Sequence, residues 1–141
     1  MIDSTVFDCE LKQLPTIKNR AGNITPVHGG DEISFNINRV YYLYDIPSGE
    51  ERGGHGHKEL EQLIVAVSGS FEVELFDGVN TRVVTLNRPG VGLYVVPGIW
   101  RELKGFSGGS VCLVLASKVF EEEDYIRDKG MFIEYKEVSN D

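Results

Sequence analysis

The sequence predicts an all-β barrel of short antiparallel strands, with one short helix at its C-terminal end. Three observations predict it. Apolar and polar residues alternate over short segments, turn signals recur at about the spacing of an all-β fold, and helical periodicity is scarce. A chain of 141 residues fits one compact domain spanning 1–141. A domain of that size buries roughly two thirds of its unfolded surface, enough to sustain a core.

Taken in chain order, Phe7, Cys9 and Leu11 alternate with Asp8, Glu10 and Lys12 and read as a half-buried strand. Between Ser34 and Asp45 the apolar parity changes, from Ile37 to Val40, which implies a bulge or a change of neighbouring sheet. Phe71, Val73 and Leu75 alternate with Glu72 and Glu74, and Val91, Leu93 and Val95 continue the pattern. Turn residues at Pro47 to Gly49, Ser68-Gly69, Asp77-Gly78, Arg88 to Gly90, Pro97-Gly98 and Ser107 to Gly109 close the hairpins. After Ser117, the acidic run Glu121 to Asp124 reads as the first turn of a helix in a tail spanning about 118–137, with Gly130 as a stop signal.

Charge and cysteine usage exclude whole classes of function. A net charge of −8 argues against nucleic acid as a partner, because phosphate contacts need a basic surface. That charge is uneven: residues 119–141 hold eight acids against three bases, which leaves residues 1–118 at net −3. A small anionic ligand is therefore compatible with the barrel wherever a few arginines converge. Cys9 and Cys112 are too few and too far apart for a disulfide framework and read as reduced core residues. Met1 to Leu14 carries Asp3, Asp8, Glu10 and Lys12 and no apolar run, so no membrane is involved and a cytoplasmic location is expected.

The chemistry concentrates in Arg52-Gly-Gly-His-Gly-His-Lys-Glu-Leu-Glu61. Side chains two apart in a strand share a face, so His55 and His57 project together, and Glu61, Leu63, Val65 and Val67 follow on the same parity if the strand continues unbroken. A lone strand histidine is ordinarily a hydrogen-bonded core residue. Two in HxH ahead of an apolar layer instead suit a barrel mouth that holds a ligand. Glycine followed by HxHxxxE resembles the first motif of the cupin superfamily, a double-stranded β-helix or jelly-roll barrel. That resemblance implies His, His, Glu and a later histidine around a divalent metal. Here the later position, after Pro97-Gly98-Ile99-Trp100, is Arg101. A guanidinium cannot ligate, and its charge opposes a divalent ion, so no metal and no other cofactor are expected. His28 is read as incidental. Histidine acid–base chemistry near neutral pH is the alternative to a facial-triad iron centre.

Five linked segments sharpen the resemblance: Arg39-Val-Tyr-Tyr42, the Arg52 to Gln62 stretch, Gly92-Leu-Tyr-Val-Val-Pro97, Val114-Leu-Ala-Ser117 and Asp124-Tyr-Ile-Arg127. Together they are similar to the dTDP-4-keto-6-deoxyglucose 3,4-ketoisomerases, from about Arg20 to Tyr135. The resemblance implies a metal-independent homodimer acting on a dTDP-linked keto-deoxy sugar in deoxy-amino-sugar biosynthesis. It places the two active-site histidines at His55 and His57. His57 is expected as the base, His55 as its hydrogen-bonding partner and Arg101 as the electrostatic stabiliser of an enediolate. Arg52 is a candidate for the diphosphate and Arg20 for a ligand-facing loop position. Glu61 could orient an imidazole, and Tyr41, Tyr42, Tyr94 and Trp100 could stack on thymine or sugar, although aromatics at strand spacing also serve packing. A cupin 3,5-epimerase, a metal-dependent oxygenase and a non-catalytic sugar-nucleotide sensor are the competing readings.

Overall fold

Ten antiparallel strands form among residues 3–138, the part of the chain that the computed structural model describes. They are β1 (Glu10–Gln13), β2 (Arg39–Leu43), β3 (Arg52–His57), β4 (Gln62–Ser68), β5 (Phe71–Phe76), β6 (Thr81–Leu86), β7 (Val91–Val95), β8 (Trp100–Lys104), β9 (Val111–Ala116) and β10 (Tyr125–Ile126), followed by helix α1 (Lys129–Val138). One five-stranded sheet runs β1-β7-β4-β9-β2 and the other β10-β3-β8-β5-β6. This is the jelly-roll arrangement expected of a cupin barrel.

Period-two patterning decides what fills the space between the sheets. Phe71, Val73 and Leu75 of β5 meet Leu93 and Val95 of β7 and Cys112 and Val114 of β9 in one apolar cluster. Each such fully buried side chain contributes roughly 1.5–3 kcal/mol of burial free energy. Both cysteines are free and buried here. A second cluster lies on the outer side of the first sheet, where Leu63, Val65 and Leu115 are covered by Leu14, Ile33 and Phe35. The parity change after Ile37 is the passage between these two layers: Ile37 packs outside, whereas Tyr41 and Leu43 of β2 pack inside.

Three expectations are corrected. The first concerns Phe7 to Leu11. Thr5 and Asp8 form a capping box that tightens Val6–Asp8 into a 3₁₀ turn, so Val6 enters the core and Phe7 points to solvent. Asp77 accepts the Val6 N–H at 3.0 Å, and Arg82 donates to the Val6 and Cys9 carbonyls at 3.0 and 2.7 Å. The strand itself begins only at Glu10.

The second correction concerns the run after His57. The strand does not continue into Glu61, because the buried Asp124 carboxylate accepts the Glu59 and Leu60 N–H groups at 2.8 and 3.2 Å and turns the chain. The chain thereby crosses to the other sheet and the parity flips: Ile64 and Ala66 pack inside, Leu63 and Val65 outside, and Val67 is exposed.

Third, the acidic run does not open the helix. Glu122–Asp124 is a 3₁₀ turn, and Tyr125 and Ile126 pair with His57 and Gly56 as an edge strand. Gly130 lies in the first turn of α1 rather than at its end. No helix among the described residues is long and apolar enough to cross a membrane.

Candidate active site

The glycines of β3 explain how two imidazoles and a guanidinium come to share one space. Strands β3 and β8 pair so that His55 faces Arg101 and Gly56 faces Trp100. Gly53, at φ +74°, sits at the irregularity in this pairing, and a Cβ there would lie 2.8 Å from Arg101 Nη1. On the other face of the strand, a Cβ on Gly56 would lie 2.8 Å from the Phe132 ring of α1. The inner glycine thus makes room for the guanidinium, and the outer one lets α1 seat against the strand between the two histidines. The His57 carbonyl is held by the Gly98 N–H at 2.7 Å, and the Gly98 carbonyl accepts from Lys136 of α1 at 2.8 Å.

The rings of His55 and His57 stand edge to face with centroids 4.6 Å apart. Tyr125 packs on both, at 5.0 and 4.5 Å. His57 is 3 % exposed and Arg101 2 %. Arg101 Nε donates to Gln62 Oε1 at 2.6 Å and its Nη2 to the Tyr41 hydroxyl at 2.8 Å, which Gln62 Nε2 also reaches at 3.1 Å. His55 Nε2, His57 Nε2 and Arg101 Nη1 are buried without a hydrogen-bond partner. Unpaired buried polar atoms are costly, and three on side chains this close together, with His55 and Arg101 lining a cleft and His57 packed behind His55, mark a place shaped for a polar ligand.

The cleft into which this cluster opens has a volume of about 250 Å³ and is lined by Arg39, Tyr41, Arg52, Gly53, His55, Arg101, Phe120, Tyr125 and Arg127, among others. Four guanidiniums line it and no carboxylate does. Convergence of this kind inside a chain of net −8 makes the cleft a site for an anion. Burial, reinforced by Arg101 and then by Arg127 and Arg39, pushes the His55 pKa down to about 3. Burial and then Arg101 push His57 down further still. Both imidazoles are therefore neutral at pH 7, each with a nitrogen lone pair for a proton.

Of the residues picked out from sequence, His55, His57, Arg101, Tyr41 and Arg52 come together here. The others do not. Glu61 accepts a 2.5 Å hydrogen bond from Tyr94, and Tyr94 stacks on Phe35 on the outer side of the first sheet, because the β3–β4 turn reversed the parity. Tyr42 points outward from β2 and packs on Tyr44. Trp100 is buried between Ile126 and Phe132, on the face of β8 opposite Arg101. Arg20 is exposed in the loop between Ile17 and Ile24. The sequence reading assigned no role to Arg39, Gln62, Tyr125 or Arg127. Its available signal was parity, since Arg39 and Tyr41, like Tyr125 and Arg127, are two apart.

The donor set does not fit a cupin metal centre. Arg101 takes the place of the third imidazole, and Glu61 is committed to Tyr94 on another face. Among the described residues, the one cluster with metal-binding side chains is His28, Asp31 and Glu32; none of the three lines the cleft, and His28 and Glu32 bond each other.

Comparison with known proteins agrees with this geometry. The model of the FdtA family, described as WxcM-like, C-terminal, matches residues 7–137. The chain is 44% identical, over 114 residues that make up 81% of it and 82% of the relative, to a TDP-4-oxo-6-deoxy-α-D-glucose-3,4-oxoisomerase of Aneurinibacillus thermoaerophilus. A 3,4-ketoisomerase from Helicobacter canadensis superposes with a TM-score of 0.90 at 38% identity, covering 92% of this chain and 98% of that one. QdtA, a sugar 3,4-ketoisomerase from Thermoanaerobacterium thermosaccharolyticum solved with TDP, gives 0.92 at 36% identity, covering 95% and 98%. A histidine-to-asparagine variant of QdtA has been solved with TDP-4-keto-6-deoxyglucose. With a family model spanning almost its whole length and relatives this close, the chain belongs to the FdtA family of WxcM-like, C-terminal proteins, the family of the sugar 3,4-ketoisomerases.

Proposed function

We propose that this protein is an isomerase that converts TDP-4-keto-6-deoxyglucose into the corresponding TDP-3-keto-6-deoxyhexose. The observation that carries the proposal is the pair of neutral imidazoles, each with an unpartnered Nε2, beside the unpartnered Nη1 of Arg101. Relatives at 35% to 44% identity are named for this activity or bind this substrate.

The reaction moves hydrogens without net oxidation. C3 gives up its hydrogen as a proton, and the electron pair left behind forms the C3–C4 double bond while the C4 carbonyl oxygen takes up negative charge. The hydroxyl on C3 then loses its proton, the double bond collapses to a C3 carbonyl, and C4 accepts a proton. Overall, one hydrogen passes from C3 to C4 and one from the C3 oxygen to the C4 oxygen. Two proton carriers suit two transfers. In this reading His57 moves the carbon-bound proton and His55 assists the transfer between oxygens. Arg101 Nη1 stabilises the oxyanion in a site screened from water, where a fixed charge is worth more than in solvent. Arg52 and Arg39 suit the diphosphate, because guanidinium forks match phosphate oxygens, whereas the Arg127 fork is held by Glu122 at 2.7 and 2.8 Å. A homodimer is supported by Val40, Tyr42 and Tyr44, which leave an apolar stripe exposed on and beside edge strand β2.

The test is to incubate TDP-4-keto-6-deoxyglucose with the protein in heavy water and follow the sugar by NMR. The ketone moves to C3 and deuterium enters at C4. Exchange at C3 and C5 with the ketone still at C4 would make the protein an epimerase and remove the proposal.

A further inference from the structure

The hydrogen bonds around Arg101 fix the direction of one more hydrogen. An Arg Nε–H can only donate, so the Gln62 atom 2.6 Å from Arg101 Nε is the amide oxygen. With the oxygen placed, the amide nitrogen of Gln62 faces Tyr41 and donates to its hydroxyl at 3.1 Å. Arg101 Nη2 donates to the same oxygen at 2.8 Å. The Tyr41 oxygen therefore receives two hydrogens from inside the cluster. Its own hydrogen must turn away from both donors, no acceptor among the described residues takes it, and Tyr41 lines the cleft.

We infer that Gln62 is a positioning residue that aims the Tyr41 hydroxyl hydrogen into the cleft as a donor to the reacting sugar. The inference rests on the ketoisomerase reading and deepens it. An enediolate carries two oxygens on adjacent carbons, and each gains negative charge in turn. Arg101 Nη1 and the Tyr41 O–H are two unpaired donors on one cluster that Gln62, fully buried, holds rigid. Two fixed donors meet two adjacent oxygens, and neither has to break a bond within the protein to do so. The amide is specifically required. In Gln62→Glu, of nearly the same shape, the carboxylate accepts from Arg101 Nε and also from the Tyr41 O–H, which pulls the hydroxyl hydrogen away from the cleft.

The test compares wild type, Tyr41→Phe, Gln62→Glu and the double variant in turnover of TDP-4-keto-6-deoxyglucose, with TDP binding by calorimetry and thermal melting alongside. Loss of one preorganised donor costs about 10²-fold in kcat. Tyr41→Phe and Gln62→Glu each show a loss of that order, with KM and TDP affinity changed by no more than a few-fold. In the Tyr41→Phe background, Gln62→Glu lowers kcat by less than it does alone, because the part of its effect that runs through the Tyr41 hydrogen is gone and only the damping of the Arg101 charge by the new carboxylate remains. Gln62→Met, uncharged and of similar length, provides the same comparison should the glutamate prevent folding. It frees the hydroxyl to rotate, so its loss is smaller and again disappears in the Tyr41→Phe background. Full kcat in Tyr41→Phe, or losses that multiply in the double variant, would overturn the inference while leaving the isomerase reading intact. A wild type that leaves the ketone at C4 would instead overturn that reading.

Discussion

Removing both titrating groups from the cleft, in a His55→Gln/His57→Gln variant, gives a direct measure of how strongly the fold holds its imidazoles neutral. The folded-state pKa of His55 is pushed from its ordinary 6.5 to about 3, and that of His57 is lowered further. Desolvation is the largest cause at both. A histidine depressed in the folded state binds fewer protons than its unfolded counterpart, so stability is fully present above pH 6.5 and drains away as pH falls. At pH 5 the unfolded chain has gained about 2 kcal/mol per histidine by protonation that the folded chain cannot match. The pair therefore accounts for about 4 kcal/mol between pH 7 and pH 5, a large share of the roughly 5–15 kcal/mol that stabilises a domain. Carboxylates elsewhere titrate alike in both proteins and cancel in the comparison. Urea unfolding at pH 7, 6 and 5, at one protein concentration, reads the difference. Wild type loses about 4 kcal/mol more than the variant across that range. Parallel losses, within about 0.5 kcal/mol, would mean that the imidazoles titrate normally in the fold and that their neutrality has another origin.

The same depression governs activity: log(kcat/KM), which reports groups of the free enzyme, stays flat from pH 7.5 down to about 5. An acidic limb with its midpoint near 6.5 would contradict it. Gly53→Ala places a methyl group 2.8 Å from Arg101 Nη1 at a positive φ, at a backbone cost of about 1–2 kcal/mol. Because Gln62 and Tyr41 pin the guanidinium, kcat falls by more than about 10-fold while the melting temperature drops only a few degrees. Unchanged kcat with a lowered melting point would show that the position of Arg101 does not matter to turnover. Tyr42→Glu sets a carboxylate in the exposed stripe of β2 and converts the proposed dimer into a 15.7 kDa monomer in sedimentation at micromolar concentration. A variant that still sediments as a dimer would move the interface elsewhere.

What the sequence made legible was what depends on local periodicity. Phe71, Val73 and Leu75 alternate in sequence and in burial alike, because an unbroken strand between two layers has nothing to disturb its period. His55 and His57 share a face for the same reason. Legibility stopped where a long-range contact interrupts the period. Glu61 looked like an inward neighbour of the histidines because nothing local to Lys58–Glu61 announces a turn. The turn is made by Asp124, more than sixty residues away, and a carboxylate reaching back to two N–H groups leaves no trace in the alternation. Trp100 was drawn toward the ligand by chemical type, yet its odd–even relation to Arg101 puts it on the opposite face of β8, under Phe132. Gln62 closes one of the motifs yet carries no role there, since a lone amide in an apolar strand has meaning only once the guanidinium that fixes it is in view.

The residue opposite His55 decides what the barrel can do with its imidazoles. A third imidazole there would offer a third lone pair and complete a donor set for a divalent cation. Arg101 offers only hydrogens and a charge, and that charge is buried at 2 % exposure. A buried cation costs several kcal/mol unless compensated, and the usual compensation is a carboxylate. Here the compensation is two neutral oxygens, from Gln62 and Tyr41, and no carboxylate lines the cleft. The charge is thus solvated by dipoles without being cancelled, and it still acts outward. Outward action has two targets in the proposed chemistry. It adds to the burial that chiefly keeps the neighbouring histidines unprotonated, and it meets the negative charge that develops on the sugar oxygen once the carbon-bound proton has left. A carboxylate partner would make Arg101 cheaper to bury and, by the same neutralisation, would blunt both effects.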